Sequence, residues 1–181
     1  MRLVTAQRQG TGRLTEEELA AWRGMLRVQS ALFRELDAEL SAAHDLALHS
    51  YEVLLLLEDA PGRRLRMTDL SRSVLLSASG VTRLVDRLER DGLVTRERCS
   101  EDGRGFFAAL TDAGDRRLRA ARATHLAGVR RLFLDHLSPA DLKRLAGYWE
   151  RIVPGAAGSD AQWRRGAAGQ NEAGCAGGDD A

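Results

Sequence analysis

Cysteine and long apolar runs are scarce in this chain of 181 residues. The two cysteines, Cys99 and Cys175, cannot form a disulfide framework, and no stretch approaches the roughly 18 apolar residues of a membrane span. Arg2, Arg8 and Arg13 interrupt the N-terminus before the apolar core of a secretion signal can form. We therefore expect a soluble cytoplasmic protein with no membrane partner.

Sequence signatures of catalysis are also absent. The chain has no GxGxxG motif, no P-loop, no HExxH pair and no nucleophile elbow. Its histidines do not fall at the spacing of metal ligands. They are His44, His49, His125 and His136. The acidic run at 16–18 is typical of a helix N-terminus, where negative charge is favourable. We expect neither an enzyme nor a bound cofactor or metal.

Lysine is nearly missing, and its place is taken by arginine. Lys143 is the single lysine, so almost all positive charge is guanidinium, which binds phosphates and base edges through paired donors. Residues 61–104 hold ten arginines against seven acidic residues, although the whole chain has a net charge of only +1. Positive charge concentrated in one segment suits a polyanionic partner.

A long amphipathic helix is predicted near the N-terminus. Thr15 and Glu18 have the spacing of a capping box, and the helix is expected to continue to about Ala43. Its apolar positions recur every three or four residues. They are Leu19, Trp22, Leu26, Phe33, Leu36 and Leu40, with Met25 and Leu32 widening the stripe. The apolar side chains of this helix lie on more than one flank, so a single chain is not expected to bury all of them.

The middle of the chain predicts a helix-turn-helix. An apolar helix from Tyr51 to Glu58 is expected to stop at Pro61-Gly62, and Thr68 is expected to cap the next short helix. Ser77 caps a second short helix that ends at Gly92. The two short helices with a tight polar turn between them form the motif.

The helix after Ser77 has two distinct faces. Val81, Leu84, Val85 and Leu88 follow the i, i+3, i+4, i+7 pattern of an apolar stripe against a core. The other face is polar and carries Ser79, Thr82, Arg83, Asp86, Arg87 and Arg90. In an isolated helix such a face is usually a solvated surface. The major groove of B-DNA also admits one α-helix, and the residues near the N-terminus of a recognition helix approach base edges most closely.

A hairpin and two further helices complete the predicted order. Strands are expected at 93–98 and 106–110, and a two-stranded hairpin directly after a helix-turn-helix is a wing. Thr111 is predicted to cap a long helix with apolar residues on one side through Phe133. Ser138, followed by Pro139, is predicted to cap a last helix that ends before Pro154.

These residues resemble the MarR family of bacterial transcription regulators. The resemblance rests on "MTDLSRSVLLSASGVTRLVDRLERDGLV" at 67–94, on Asp102-Gly103-Arg104 and on "LTDAG" at 110–114, in that order and spacing. It extends from about Leu14 to Val153. It implies a mainly α fold with a small β-hairpin, a winged helix-turn-helix flanked by N- and C-terminal dimerisation helices.

The resemblance also implies a domain organisation. A flexible arm is expected at 1–13, a winged-helix domain at 14–153, and a disordered Gly/Ala-rich tail at 154–181. Within the domain, the DNA-binding lobe is expected at about 48–111. The dimerisation helices are expected at about 15–43 and 112–153.

The implied function is sequence-specific binding of double-stranded DNA, as a homodimer on a pseudo-palindromic operator. The residues predicted to contact DNA are Ser77, Ser79, Thr82, Arg83, Arg87, Arg90, Asp102 and Arg104. Ser79, Thr82 and Arg83 are the predicted base-proximal set. In the family, Asp-x-Arg at the wing tip places the arginine in or beside the minor groove. Many members of the family carry an arginine between this aspartate and this arginine. Here that position is Gly103, which removes one positive contact.

The family commonly binds a small aromatic or phenolic effector that relieves repression. Candidate residues here are Trp22, His44, His49 and Tyr51, but a structural role is the favoured interpretation of each: Trp22 has the spacing of a core residue, and His44 and His49 have the positions of exposed turn residues. Cys99 has arginine neighbours that could make it a redox-sensing thiolate, but the family's familiar sensing cysteines lie on the first helix, where this sequence has none. An inert thiol is the favoured interpretation. The alternative function is a winged-helix module for protein interaction or for DNA binding without sequence preference.

Overall fold

The computed structural model describes residues 12–74, 76–98 and 105–158. Within them lie six α-helices and three strands in two compact units. The helices are α1 Glu16–His44, α2 Leu48–Glu58, α3 Met67–Ser73, α4 Ala78–Arg90, α5 Asp112–Leu132 and α6 Pro139–Ile152; the strands are β1 Arg64–Arg66, β2 Val94–Arg98 and β3 Phe106–Leu110. The helical unit comprises the chain up to Leu48 together with Arg119–Ala157, and the lobe comprises His49–Leu118.

The predicted capping box begins α1. The Thr15 hydroxyl accepts a bond of 3.2 Å from the backbone N–H of Glu18, and the Glu18 carboxylate accepts one of 2.9 Å from the backbone N–H of Thr15. Two N–H groups that a helix start leaves without partners are thereby satisfied. The helix ends at His44, one residue beyond the predicted Ala43, because Asp45 adopts a left-handed conformation with φ of 49°.

Within the helical unit, α1 and α5 approach closely at a glycine. A Cβ atom on Gly128 would lie 2.7 Å from Cδ2 of Leu36 and 2.9 Å from Oε2 of Glu39. An ion pair between Glu39 and Arg131 joins the same two helices beside this contact. The absence of a side chain at Gly128 therefore allows the two helices to pack tightly.

Many large apolar side chains of the helical unit are exposed in the single chain. They are Leu14, Trp22, Met25, Leu26, Val28, Leu126, Tyr148, Trp149 and Ile152. Trp22, for example, exposes 53% of its surface. Contiguous apolar side chains on a protein surface usually mark an interaction site. The apolar flank predicted for the first helix therefore stays uncovered at Trp22, Met25 and Leu26 by the described part of the chain, whereas Leu36 and Leu40 of the same stripe are buried.

The second helix begins earlier than the sequence predicted. The carboxylate of Asp37, on α1, accepts a bond of 2.7 Å from the backbone N–H of Leu48, and α2 starts at that residue rather than at Tyr51. A carboxylate at a helix N-terminus satisfies a free N–H and complements the helix dipole. The helix ends at Glu58, as predicted, and Pro61–Arg63 form a short 3₁₀ turn.

The lobe contains a strand that the sequence did not reveal. The sheet is antiparallel in the order β1-β3-β2, with Arg66 opposite Phe107 and Phe107 opposite Glu97. The predicted hairpin of β2 and β3 is confirmed, with β2 starting one residue later than expected, at Val94. The expected cap at Thr68 is wrong. Helix α3 begins at Met67, directly after β1, and no side chain caps it.

The predicted cap of the last helix is confirmed. The Ser138 hydroxyl accepts a bond of 3.2 Å from the backbone N–H of Asp141, and the Asp141 carboxylate accepts one from the backbone N–H of Ser138. Hydrogen bonds from the side chain and backbone of Ser138 hold the pKa of Asp141 below its ordinary value. Proline at the first helical position, Pro139, is preset for the helical backbone.

Candidate nucleic-acid interface

The apolar stripe of α4 fixes the helix on the lobe. Val81, Leu84, Val85 and Leu88 are all buried, as their spacing predicts. The Ser77 hydroxyl caps the helix by accepting a bond of 3.2 Å from the backbone N–H of Gly80. At the other end, Gly92 takes a positive φ of 69°, which favours glycine after a helix terminus. The opposite face of α4 is thereby turned away from the core.

The polar positions predicted for DNA contact on α4 are all exposed. They are Ser77, Ser79, Thr82, Arg83, Arg87 and Arg90. The short hydroxyl groups occupy the first two turns. The Oγ atoms of Ser77 and Ser79 lie 3.2 Å apart, within hydrogen-bond distance. The Thr82 hydroxyl donates a hydrogen bond of 3.0 Å to the carbonyl of Ala78. Each hydroxyl keeps hydrogen-bonding capacity, as donor or acceptor, for a further partner.

Two of the arginines are held in matching ways. The Nε–H of Arg83 donates to the carbonyl of Ser79 at 3.3 Å, and the Nε–H of Arg90 donates to the carbonyl of Asp86 at 3.3 Å. These bonds engage one of the five N–H donors of each guanidinium. Both side chains are therefore restrained along the helix surface while paired donors remain for a phosphate or a guanine edge.

A further arginine joins α4 to the sheet, and it was not among the predicted site residues. Nη1 of Arg96, on β2, lies 2.6 Å from the carboxylate of Asp86 and 3.1 Å from that of Glu89. Its Nη2 lies 3.5 Å from the carbonyl of Thr82, and its backbone N–H donates to Glu89 at 3.2 Å. The two acidic side chains of α4 are thus occupied by a single arginine.

Known proteins that are similar to this chain in sequence and fold regulate transcription. A model described as the MarR family matches residues 44–105. The HTH-type transcriptional repressor YetL of Bacillus subtilis is 31% identical over 114 residues, which are 61% of this chain and 68% of the repressor. AbsC, a MarR family transcriptional regulator from Streptomyces coelicolor, is 38% identical with a TM-score of 0.72, over 77% of this chain and 94% of its own. This chain belongs to the MarR family. Sco3205, another MarR family regulator from the same organism, was solved in complex with DNA. It is 35% identical with a TM-score of 0.74, over 79% of this chain and 89% of its own.

The tip of the MarR wing lies outside the described residues. The undescribed segment between Arg98 and Gly105 includes Asp102 and Arg104, which were predicted to contact DNA. It also includes Cys99, the cysteine considered as a redox-sensing thiol. The strands that lead into this segment are in register, with Arg98 opposite Phe106. The predicted wing contacts therefore stay predictions from the MarR motif.

The four effector candidates are divided between the two units. Trp22 and His44 belong to the helical unit, and His49 and Tyr51 belong to the lobe. Nε2 of His44 lies 2.7 Å from the hydroxyl of Thr124, and Nδ1 of His49 lies 2.9 Å from the carboxylate of Glu52. Tyr51 is buried with 2% of its surface exposed.

The described residues contain no cluster of three His, Cys, Asp or Glu side chains that could hold a metal ion. None of their helices is long and apolar enough to cross a membrane. The relatives matched above are transcription regulators, which are not enzymes.

Proposed function

We propose that this protein is a sequence-specific regulator that binds double-stranded DNA by inserting α4 into the major groove. The observation that carries this proposal is the exposed face of α4, on which hydroxyl groups precede arginines along the helix. In the proposed complex with DNA, Ser79, Thr82 and Arg83 contact base edges, while Arg87 and Arg90 bind phosphates. Ser77 binds a phosphate near the helix N-terminus, and the Asp-x-Arg motif at Asp102 and Arg104 assigns Arg104 to the minor groove.

The functional form is a homodimer. The exposed apolar side chains on α1 and α6 support this, because two copies can cover each other's apolar flanks. Two recognition helices about 34 Å apart, one turn of B-DNA, require a pseudo-palindromic operator. The protein acts in the cytoplasm, where it reaches the chromosome.

The dimer proposal predicts the effect of a charge on α1. Leu26, which is 42% exposed, becomes buried in the interface, so Leu26→Glu should raise the dimer dissociation constant at least about tenfold. Ala38→Glu places the same charge at an exposed position of the same helix that lies off this stripe, and it should leave the dimer unchanged. Sedimentation velocity over a concentration series measures both. Equal behaviour of the two variants would contradict an interface on this flank.

Regulation follows from a small aromatic or phenolic effector that relieves repression. The candidate contacts are those named from the resemblance, Trp22, His44, His49 and Tyr51, of which Tyr51 is buried in the single chain. The effector acts by binding more tightly to the state of the dimer that does not fit DNA.

Fluorescence anisotropy tests the proposed function directly. The full chain is titrated against a duplex from its own upstream intergenic DNA and against a shuffled duplex of the same composition, over a range of salt concentrations. Saturable binding with two chains per site and a preference for the upstream duplex is expected. Equal affinity on both duplexes, lost in parallel as salt rises, would instead indicate binding without sequence preference.

A further inference from the structure

The recognition helix carries two carboxylates among its arginines. Asp86 and Glu89 lie between Arg83 and Arg90, which the proposed function places against base edges and phosphates. A carboxylate close to DNA is repelled by the phosphates, and juxtaposed like charges oppose association strongly. A helix with these two acids therefore needs a means to offset their charge before it can approach DNA.

Arg96 has the position and the contacts to do this. Its guanidinium lies within 3.1 Å of both carboxylates, and it is also close to the carbonyl of Thr82, in the turn predicted to face bases. Its side chain is 23% exposed, whereas the side chains of Arg83 and Arg90 lie on the exposed face of α4. Because Arg96 is partly buried and already engaged by three acceptors, it is poorly placed to contact DNA itself.

We propose that Arg96 is a positioning residue that neutralises Asp86 and Glu89 and so permits α4 to approach DNA without touching DNA itself. This inference rests on the proposed function, because it requires that α4 be the helix that meets the duplex. The link through the backbone N–H of Arg96 adds an orienting role, since it ties the last turns of α4 to the strand that leads into the wing.

A double-mutant cycle separates this role from a direct contact. Arg96→Met is made alone and in a background with Asp86→Asn and Glu89→Gln, and the full-length variants are titrated on the upstream and shuffled duplexes. We expect Arg96→Met alone to weaken binding at least about tenfold on both duplexes, because it leaves two uncompensated carboxylates beside the phosphates. In the neutral background the same change should cost less than about threefold and leave the salt dependence unchanged.

The outcomes distinguish the inference from its premise. An equal loss in both backgrounds, with a salt slope lower by about 0.9, would mean that Arg96 binds a phosphate directly and would overturn the inference. If Arg96→Met alone does not fold, the Asp86→Asn, Glu89→Gln background with and without Arg96→Met still tests the inference. A loss of about tenfold in DNA affinity between those two variants would overturn it. A wild type that binds neither duplex would overturn the proposed function itself, whereas wild-type binding with no coupling between Arg96 and the acids overturns only this step.

Discussion

Replacing Gly114 with alanine is expected to destabilise the lobe by about 3 kcal/mol. A Cβ atom at this position would lie 2.1 Å from the carbonyl oxygen of Leu93 and 2.7 Å from Cδ1 of Leu110. The first neighbour is backbone, so it cannot swing away as a long side chain can. The start of α5 must therefore move away from the turn between α4 and β2.

The surrounding hydrogen bonds make this movement costly. The Thr111 hydroxyl donates a bond of 2.7 Å to the carbonyl of Gly92 and accepts one of 3.0 Å from the backbone N–H of Gly114. The backbone N–H of Thr111 also donates to the carbonyl of Leu93 at 3.2 Å. A shift of α5 strains the two bonds from Thr111 to Gly92 and Leu93 together, and each contributes about 1 kcal/mol when intact.

Gly147→Ala is the matched control for this prediction. Gly147 lies within α6, and a Cβ there would meet no atom within 4 Å. Alanine should therefore stabilise the protein by about 0.5–1 kcal/mol through its helix propensity. Urea unfolding at one protein concentration measures both variants. A stability of Gly114→Ala within about 0.5 kcal/mol of the wild type would show that α5 does not depend on this close approach.

Features that depend on neighbours in sequence were predictable. The capping boxes at Thr15 and Ser138, and the stripe and cap of α4, are signalled within seven residues or fewer, and the structure confirms them. The "LTDAG" motif also marked the start of α5, since Thr111 caps it. Local hydrogen bonding and helical periodicity are properties of short segments, so the sequence displays them directly.

Features that depend on distant contacts were not predictable. Strand β1 is three residues long and mostly charged, so it is too short for an alternating pattern to be recognised, and it exists because β3 pairs with it. The same strand explains the wrong cap at Thr68, because it continues directly into α3. The requirement for glycine at 114 arises from Leu93, twenty-one residues earlier, and becomes evident only when α5 meets the turn after α4.

The role of Arg96 illustrates the same limit within the site. Its partners Asp86 and Glu89 are ten and seven residues away across a turn, so no helical or strand periodicity relates them. The sequence placed Asp86 on the polar face but offered no means to tell a free carboxylate from an occupied one. A cluster of arginines and acids around one helix is the available signal, and it identifies no particular pair.

The second large effect is expected at Arg83. Arg83→Ala should weaken binding to the upstream duplex by about 10- to 100-fold while it changes binding to the shuffled duplex little. Arg83 lies one turn after Ser79 on the exposed face of α4, and its restrained side chain keeps paired donors for the edge of a guanine. Removal of a base contact lowers the preference for one sequence, because the shuffled duplex never offered that contact.

Arg90→Ala provides the control from the same helix. Arg90 lies seven residues further along, two helical turns, and its Nε–H bond to the backbone has the same length of 3.3 Å as that of Arg83. Since the two side chains differ chiefly in their distance from the N-terminus of α4, a phosphate role for Arg90 predicts equal losses on both duplexes and a salt slope lower by about 0.9. Arg104→Ala, at the wing, should weaken binding with a smaller change in preference than Arg83→Ala. Equal losses of affinity on the two duplexes for Arg83→Ala would show that Arg83 does not read bases. Ser79 and Thr82 would then remain as the residues that read sequence, since the first two turns of a recognition helix lie deepest in the groove.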